Sequence, residues 1–149
     1  FSDEQMKQMN EQTQEMLSDE YAEMLKNSKV IYDMYAQNTT TGESMNVNLE
    51  NLGLVYGSML DEAAYVQVAL PSLKDALESM GFSSVNAEAK TVTFAGEEHA
   101  AIYVTGDMNG ITIHEIVVYV KRGKYMSCIT VASFEAARAE ALLNGFYAV

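Results

Sequence analysis

Cations, cysteine and proline are scarce in this chain. Its 149 residues include nine Lys and Arg against 21 Asp and Glu, a formal net charge of −12. A field of that sign repels phosphate backbones and anionic lipid surfaces, so no nucleic-acid partner is expected. The single cysteine, Cys128, excludes an intrachain disulfide and a Cys-rich zinc site, though one cysteine does not identify the compartment. The single proline, Pro71, excludes a Pro-rich linker, and no uninterrupted apolar run is long enough to span a bilayer. What is present is a 48% apolar chain of ordinary domain size, expected to form one globular domain over 1–149 and to bury a core without disulfides or metals. It opens on Phe1, directly into helical sequence, which points to a leader or N-terminal piece removed beforehand.

Hydrophobic spacing supplies the element order. In residues 2–28, Ser2 and Gln5 form a capping box, and Met6, Met9, Thr13, Met16, Leu17, Tyr21, Met24 and Leu25 make one helical stripe. The stripe reads as core packing. KVIYDMYAQ (29–37) is β-branched and aromatic, and turn-forming NTTTGES leads to a second strand near MNVNLEN. Residues 60–81 are helical by pattern, with Gly81 as a stop and Pro71 either kinking the helix or opening a second one. AKTVTFA, HAAIYVTGDM, ITIHEIVVYVK and KYMSCITVAS then read as four antiparallel strands, separated by Gly-Glu, Asn-Gly and Arg-Gly. A short helix follows, capped by Ser133 and ended by Asn144-Gly145. Strand 111–120 is apolar at both parities, so helices should cover both of its faces. The expected fold is therefore α+β, an α/β/α sandwich around a mainly antiparallel sheet, in the order α-β-β-α-β-β-β-β-α.

Chemistry is harder to find. His114-Glu115 lacks the second histidine of a zinc protease motif, since position 118 is Val and the segment is a strand. With Arg122-Gly123 as a two-residue turn, Cys128 opposes Val117 and His114 opposes Val131, which puts thiol and imidazole on opposite faces. His99 and His114 share a face but lie roughly 20 Å apart along the strands, too far for one metal. Asp107-Met108-Asn109-Gly110 has the wrong spacing for a calcium loop and reads as a hairpin turn. Asn38-Thr39-Thr40 matches a glycosylation triplet of little weight. No phosphate loop, nucleophile elbow or dinucleotide fingerprint occurs, so neither a cofactor nor an enzymatic activity is expected.

Nine tyrosines remain, suited either to a cleft or to the rim of a core. Asp33 and Glu115 are carboxylates inside apolar strands and therefore the polar intrusions most worth following; exposure at a sheet end is the alternative. The candidate ligand-binding residues are Asp33, Tyr35, Tyr103, His114 and Glu115.

The segment from Phe94 to Val149 (FAGEEHAAIYVTGDMNGITIHEIVVYVKRGKYMSCITVASFEAARAEALLNGFYAV) resembles the last half of PsbP-like domains. In those, an antiparallel run ends in a Gly-Lys-Tyr turn, a strand, and a helix closing on a Phe. NVNLENLG and LPSLKDALESMG extend the likeness to about 120 residues, and the chain is more closely similar to PsbP-like domains of secreted lipoproteins in Gram-positive bacteria. The resemblance implies an extracytoplasmic, non-enzymatic domain that binds a protein or small molecule and reaches the membrane only through a removed N-terminal lipid anchor. It also implies one or two strands before the first helix, often ending in Pro and Trp. This chain has no Trp, and a missing strand would leave a sheet edge open to pairing, as in a dimer. A small-molecule carrier with a Tyr-lined cleft is the alternative, and an enzyme using His114, Glu115 or Asp33 a third.

Overall fold

The computed structural model describes residues 30–147, and the amphipathic segment 2–28 lies outside them. Six strands form one antiparallel sheet: β1 (Val30–Gln37), β2 (Ser44–Asn51), β3 (Ser83–Phe94), β4 (Glu97–Met108), β5 (Ile111–Arg122) and β6 (Tyr125–Ser133). The helices are α1 (Gly53–Met59), α2 (Glu62–Ser79) and α3 (Ala136–Leu143). The spatial order β1-β2-β6-β5-β4-β3 puts the β1–β2 hairpin beside β6, at the far side of the meander from β3. The fold is α+β, as the order of sequence patterns predicts.

Strand alternation sorts the core into two layers. Val85, Ile102, Val104, Val117, Tyr119, Met126 and Cys128 pack with Tyr65, Val66, Ala69 and Leu77 of α2. On the other face Phe94, Ala101, Ile116, Val118, Ile129 and Val131 pack with Ala139 and Leu143 of α3. Strand β5 feeds both layers, which is why its sequence is apolar at both parities. In β3 the polar residues Asn86, Glu88 and Lys90 alternate with the inward Val85 and Ala87. β3 starts six residues before the expected AKTVTFA, a stretch whose residue types have low strand propensity and so give no strand signal in sequence.

Pro71 does not open a second helix, because α2 runs through it without a break in the helical assignment. Proline removes one backbone donor there, and its own side chain is on the exposed face. Asp61 caps the helix by accepting from Ala64 N at 2.7 Å. The C-terminus closes as a Schellman motif, in which Phe82 N donates to Leu77 O, Gly81 N donates to Glu78 O, and Gly81 takes φ 94°. Helix α1 was not expected, since none of its residues is buried and no apolar period marks it. Its anchor is backbone: Leu52 N donates to Lys124 O at 2.9 Å, and a Cβ on Gly57 would lie 2.8 Å from Lys124 Cα.

The turns differ from expectation in two places. Asn109-Gly110 forms the expected turn, both residues at positive φ. Between β3 and β4 the central pair is Ala95-Gly96 rather than Gly-Glu, with Ala95 at φ 50°. Between β5 and β6 it is Gly123-Lys124 rather than Arg122-Gly123, since Arg122 opposes Tyr125. Only Gly123 there has positive φ, which matches the two-residue turn with glycine at its first central position. An arginine first would have needed the left-handed conformation itself. Cys128 therefore opposes Tyr119, not Val117, and His114 opposes Ser133, not Val131. The register moves by two residues, so thiol and imidazole still lie on opposite faces.

Helix α2 docks on the sheet end through one side chain. Glu62 accepts from Lys121 N at 2.8 Å and from Ala100 N at 3.3 Å, and meets His99 Nδ1 at 3.0 Å. The β4–β5 ladder runs from Ala100 to Met108, and the carboxylate takes up strand donors where that pairing stops.

Candidate binding cleft

Helix α3 has eight residues and lies over β5 and β6, so it leaves the same face of β3 and β4 partly open. A cleft of about 160 Å³ occupies the flank. Its floor and walls come from Glu88 and Lys90 of β3, Tyr103 and Thr105 of β4, His114 and Ile116 of β5, and Ala136, Ala139 and Glu140 of α3. The register builds this lining, because Tyr103 opposes both Glu88 and Ile116 while Thr105 opposes His114. Opposed residues share a face with Cβ atoms about 5 Å apart, so these five side chains and Lys90, two residues along β3, converge on one side.

Polar contacts tighten the group. Lys90 Nζ lies 4.6 Å from the centroid of the Tyr103 ring and 3.1 Å from Glu88 Oε2. Burial, and then the charge of Glu140, raise the Tyr103 phenol above its ordinary range, with Lys90 working against them. The site is an aromatic face with carboxylates and one ammonium around it, backed by aliphatic Ile116, Ala136 and Ala139.

Of the five expected site residues, Tyr103 and His114 meet in this cleft. Glu115 touches its wall, but it pairs with Val104, whose side chain packs under α2, so alternation sends the carboxyl to the other face. There burial pushes that carboxyl up to about 7. Asp33 and Tyr35 lie on β1, away from the cleft. Asp33 is the extra residue of a bulge between Tyr32 and Met34, and its side chain is exposed. The tyrosines do not gather in one place. Tyr65 and Tyr119 meet as a tilted ring pair in the α2 layer with centroids 5.1 Å apart, while Tyr56, Tyr125 and Tyr147 are exposed.

Two functional-looking groups were not legible in sequence. Glu50 is buried in β2, where the Tyr65 hydroxyl donates to one carboxyl oxygen and Cys128 Sγ donates to the other at 3.8 Å. Burial, then the neighbouring Glu50, pushes the Cys128 thiol well above the usual range. MNVNLEN reads in sequence simply as a strand, yet Asn46 and Asn48 also bury their Oδ1 atoms, without a hydrogen-bond partner among the described residues. The second is the set Glu88, Lys90 and Glu140, where the roughly 50 residues between Glu140 and the β3 pair hide their sharing one cleft. Only the alternation of β3 could have signalled it.

No protein-family model matches the chain, and no curated protein matches it. Among solved structures it is similar to PA94 of Pseudomonas aeruginosa, a protein of unknown function, with TM-score 0.48 and 10% identity over 80% of this chain and 79% of that one. It is also similar to LpqN of Mycobacterium tuberculosis, described as involved in cell envelope biogenesis, with TM-score 0.44 and 10% identity over 80% and 82% of the two chains. Neither is described as a PsbP-like domain, so that resemblance rests on this chain's own residues.

Proposed function

We propose that this chain is a non-enzymatic, extracytoplasmic binding domain of the PsbP-like kind, and that the cleft beside α3 is where it binds. The observation behind this reading is the convergence of Tyr103, His114, Glu88, Lys90 and Glu140 around an apolar floor, a small concave site with a few directed polar groups. Nothing comparable supports catalysis. The thiol of Cys128 is buried on the opposite face from His114 and donates to a carboxylate, which is the reverse of activation. The extracytoplasmic placement rests on the sequence resemblance alone.

Screening the protein against a mixed library of small fragments by amide NMR tests the reading. Saturable shifts should centre on Tyr103, Thr105, His114, Ala136 and Ala139. They should vanish in Thr105→Phe, whose ring fills the cleft from β4. A library whose hits all map elsewhere, or survive that substitution, refutes the assignment.

A partner role has its own support in β1. This strand pairs only with β2 among the described residues, and Ile31, Met34 and Tyr35 on it are exposed. Under that second reading, Met34→Lys lowers self-association or partner binding and leaves the cleft's fragment shifts unchanged.

A further inference from the structure

An ammonium group already sits in the cleft, and it belongs to the chain itself. Lys90 places Nζ over the Tyr103 ring and beside the Glu88 carboxylate. The carboxylate-bearing Glu140 lines the cleft from the α3 side. An aromatic face flanked by carboxylates attracts a cation through the ring quadrupole and through charge together. The lysine is half exposed, so its ammonium can move into water with little loss.

The remaining lining narrows the occupant. Ile116, Ala136 and Ala139 give an aliphatic wall suited to a hydrocarbon body. A cavity of about 160 Å³ is close to the roughly 150 Å³ that accommodates a benzene ring. An anion would face Glu88 and Glu140 in a chain of net charge −12. For a metal ion, no three His, Cys, Asp or Glu residues converge as ligands among the described residues.

We propose that the cleft takes a small organic ammonium, whose cationic head replaces Lys90 Nζ over Tyr103 between Glu88 and Glu140. Its apolar body rests on Ile116, Ala136 and Ala139. Lys90 is then a built-in competitor that occupies the site until the ligand arrives. This inference deepens the binding reading above and rests on it.

Three probes of one shape test the class: benzylamine, benzyl alcohol and benzoate, titrated into the whole chain at constant ionic strength and followed by amide NMR. Benzylamine should give saturable shifts around Tyr103 and Ala139, at least tenfold tighter than the other two. Lys90→Met should tighten benzylamine several-fold. Tyr103→Phe should keep its affinity within about threefold, since a phenyl face also holds cations, and Tyr103→Leu should lose at least tenfold. Glu140→Gln, at an exposed helix position, should weaken benzylamine and leave benzyl alcohol unchanged.

Equal binding of all three probes, or preference for benzoate, overturns the ammonium class while the binding reading survives. Lys90→Met that weakens benzylamine overturns the competitor role. If none of the three shifts the cleft amides, the ammonium proposal fails, and the fragment screen decides the binding reading by itself.

Discussion

Burial makes Glu115 respond to pH near neutrality. Its carboxyl sits at about 7 in the fold, against an ordinary value of 4.5. Between those values the folded chain keeps a proton that the unfolded chain releases, so this group favours folding at low pH and its contribution fades as pH rises through 7. The full effect is at most about 3 kcal/mol. Glu115→Gln is always neutral, so urea melts at pH 5, 6, 7 and 8 should show a flatter pH dependence. At pH 8 the variant should exceed the parent by roughly 1–3 kcal/mol. An unchanged slope would show that the carboxyl is not held protonated by the fold. Asp33 and Glu115 look alike in sequence, each a carboxylate in an apolar strand. What separates them is a bulge that turns Asp33 outward and a pairing with Val104 that turns Glu115 inward, and neither is written in the neighbouring residues.

At the scale of elements, Glu62 is the joint between helix and sheet. Removing its carboxylate leaves the amides of Ala100 and Lys121 short of an acceptor in a part-buried place. Glu62→Ala should therefore cost about 2–4 kcal/mol in urea unfolding and speed hydrogen exchange at those two amides. Glu62→Gln keeps one acceptor oxygen and should cost less. A loss below about 0.5 kcal/mol with unchanged exchange would assign the strand end to other contacts. Most elements were legible from their apolar residues: β4 to β6 as β-branched and aromatic runs bounded by turn residues, and α2 by a period of three to four. The exceptions have physical reasons. Helix α1 is held by backbone against Lys124 and buries no side chain, so no pattern could betray it. The last hairpin's register turned on whether glycine stands first or second in the turn, and its preference for the first place decides it.

For the whole molecule, charge is the dominant legible property. At −12 the fold works against its own repulsion, so raising NaCl from about 0.01 to 0.15 M should raise the melting temperature by about 2–4 °C. No shift, or a fall, would mean that specific ion pairs outweigh the general field. The sandwich itself was foreseeable from β5, apolar on both sides. The strand order was not, because nothing local to MNVNLEN says that it pairs with KYMSCITV rather than with the next strand made. That pairing carries a consequence for synthesis on the ribosome. Strands β3 to β6 each meet the strand made just before or after, and can assemble as they emerge. The inner side of β2 must wait for β6, roughly 80 residues later, and such distant closures are the slow ones. During that interval Glu50 lacks the Cys128 contact that later shields it, because Cys128 lies on β6 itself. The Glu50 carboxylate is thus sealed into the core only when the closing strand arrives.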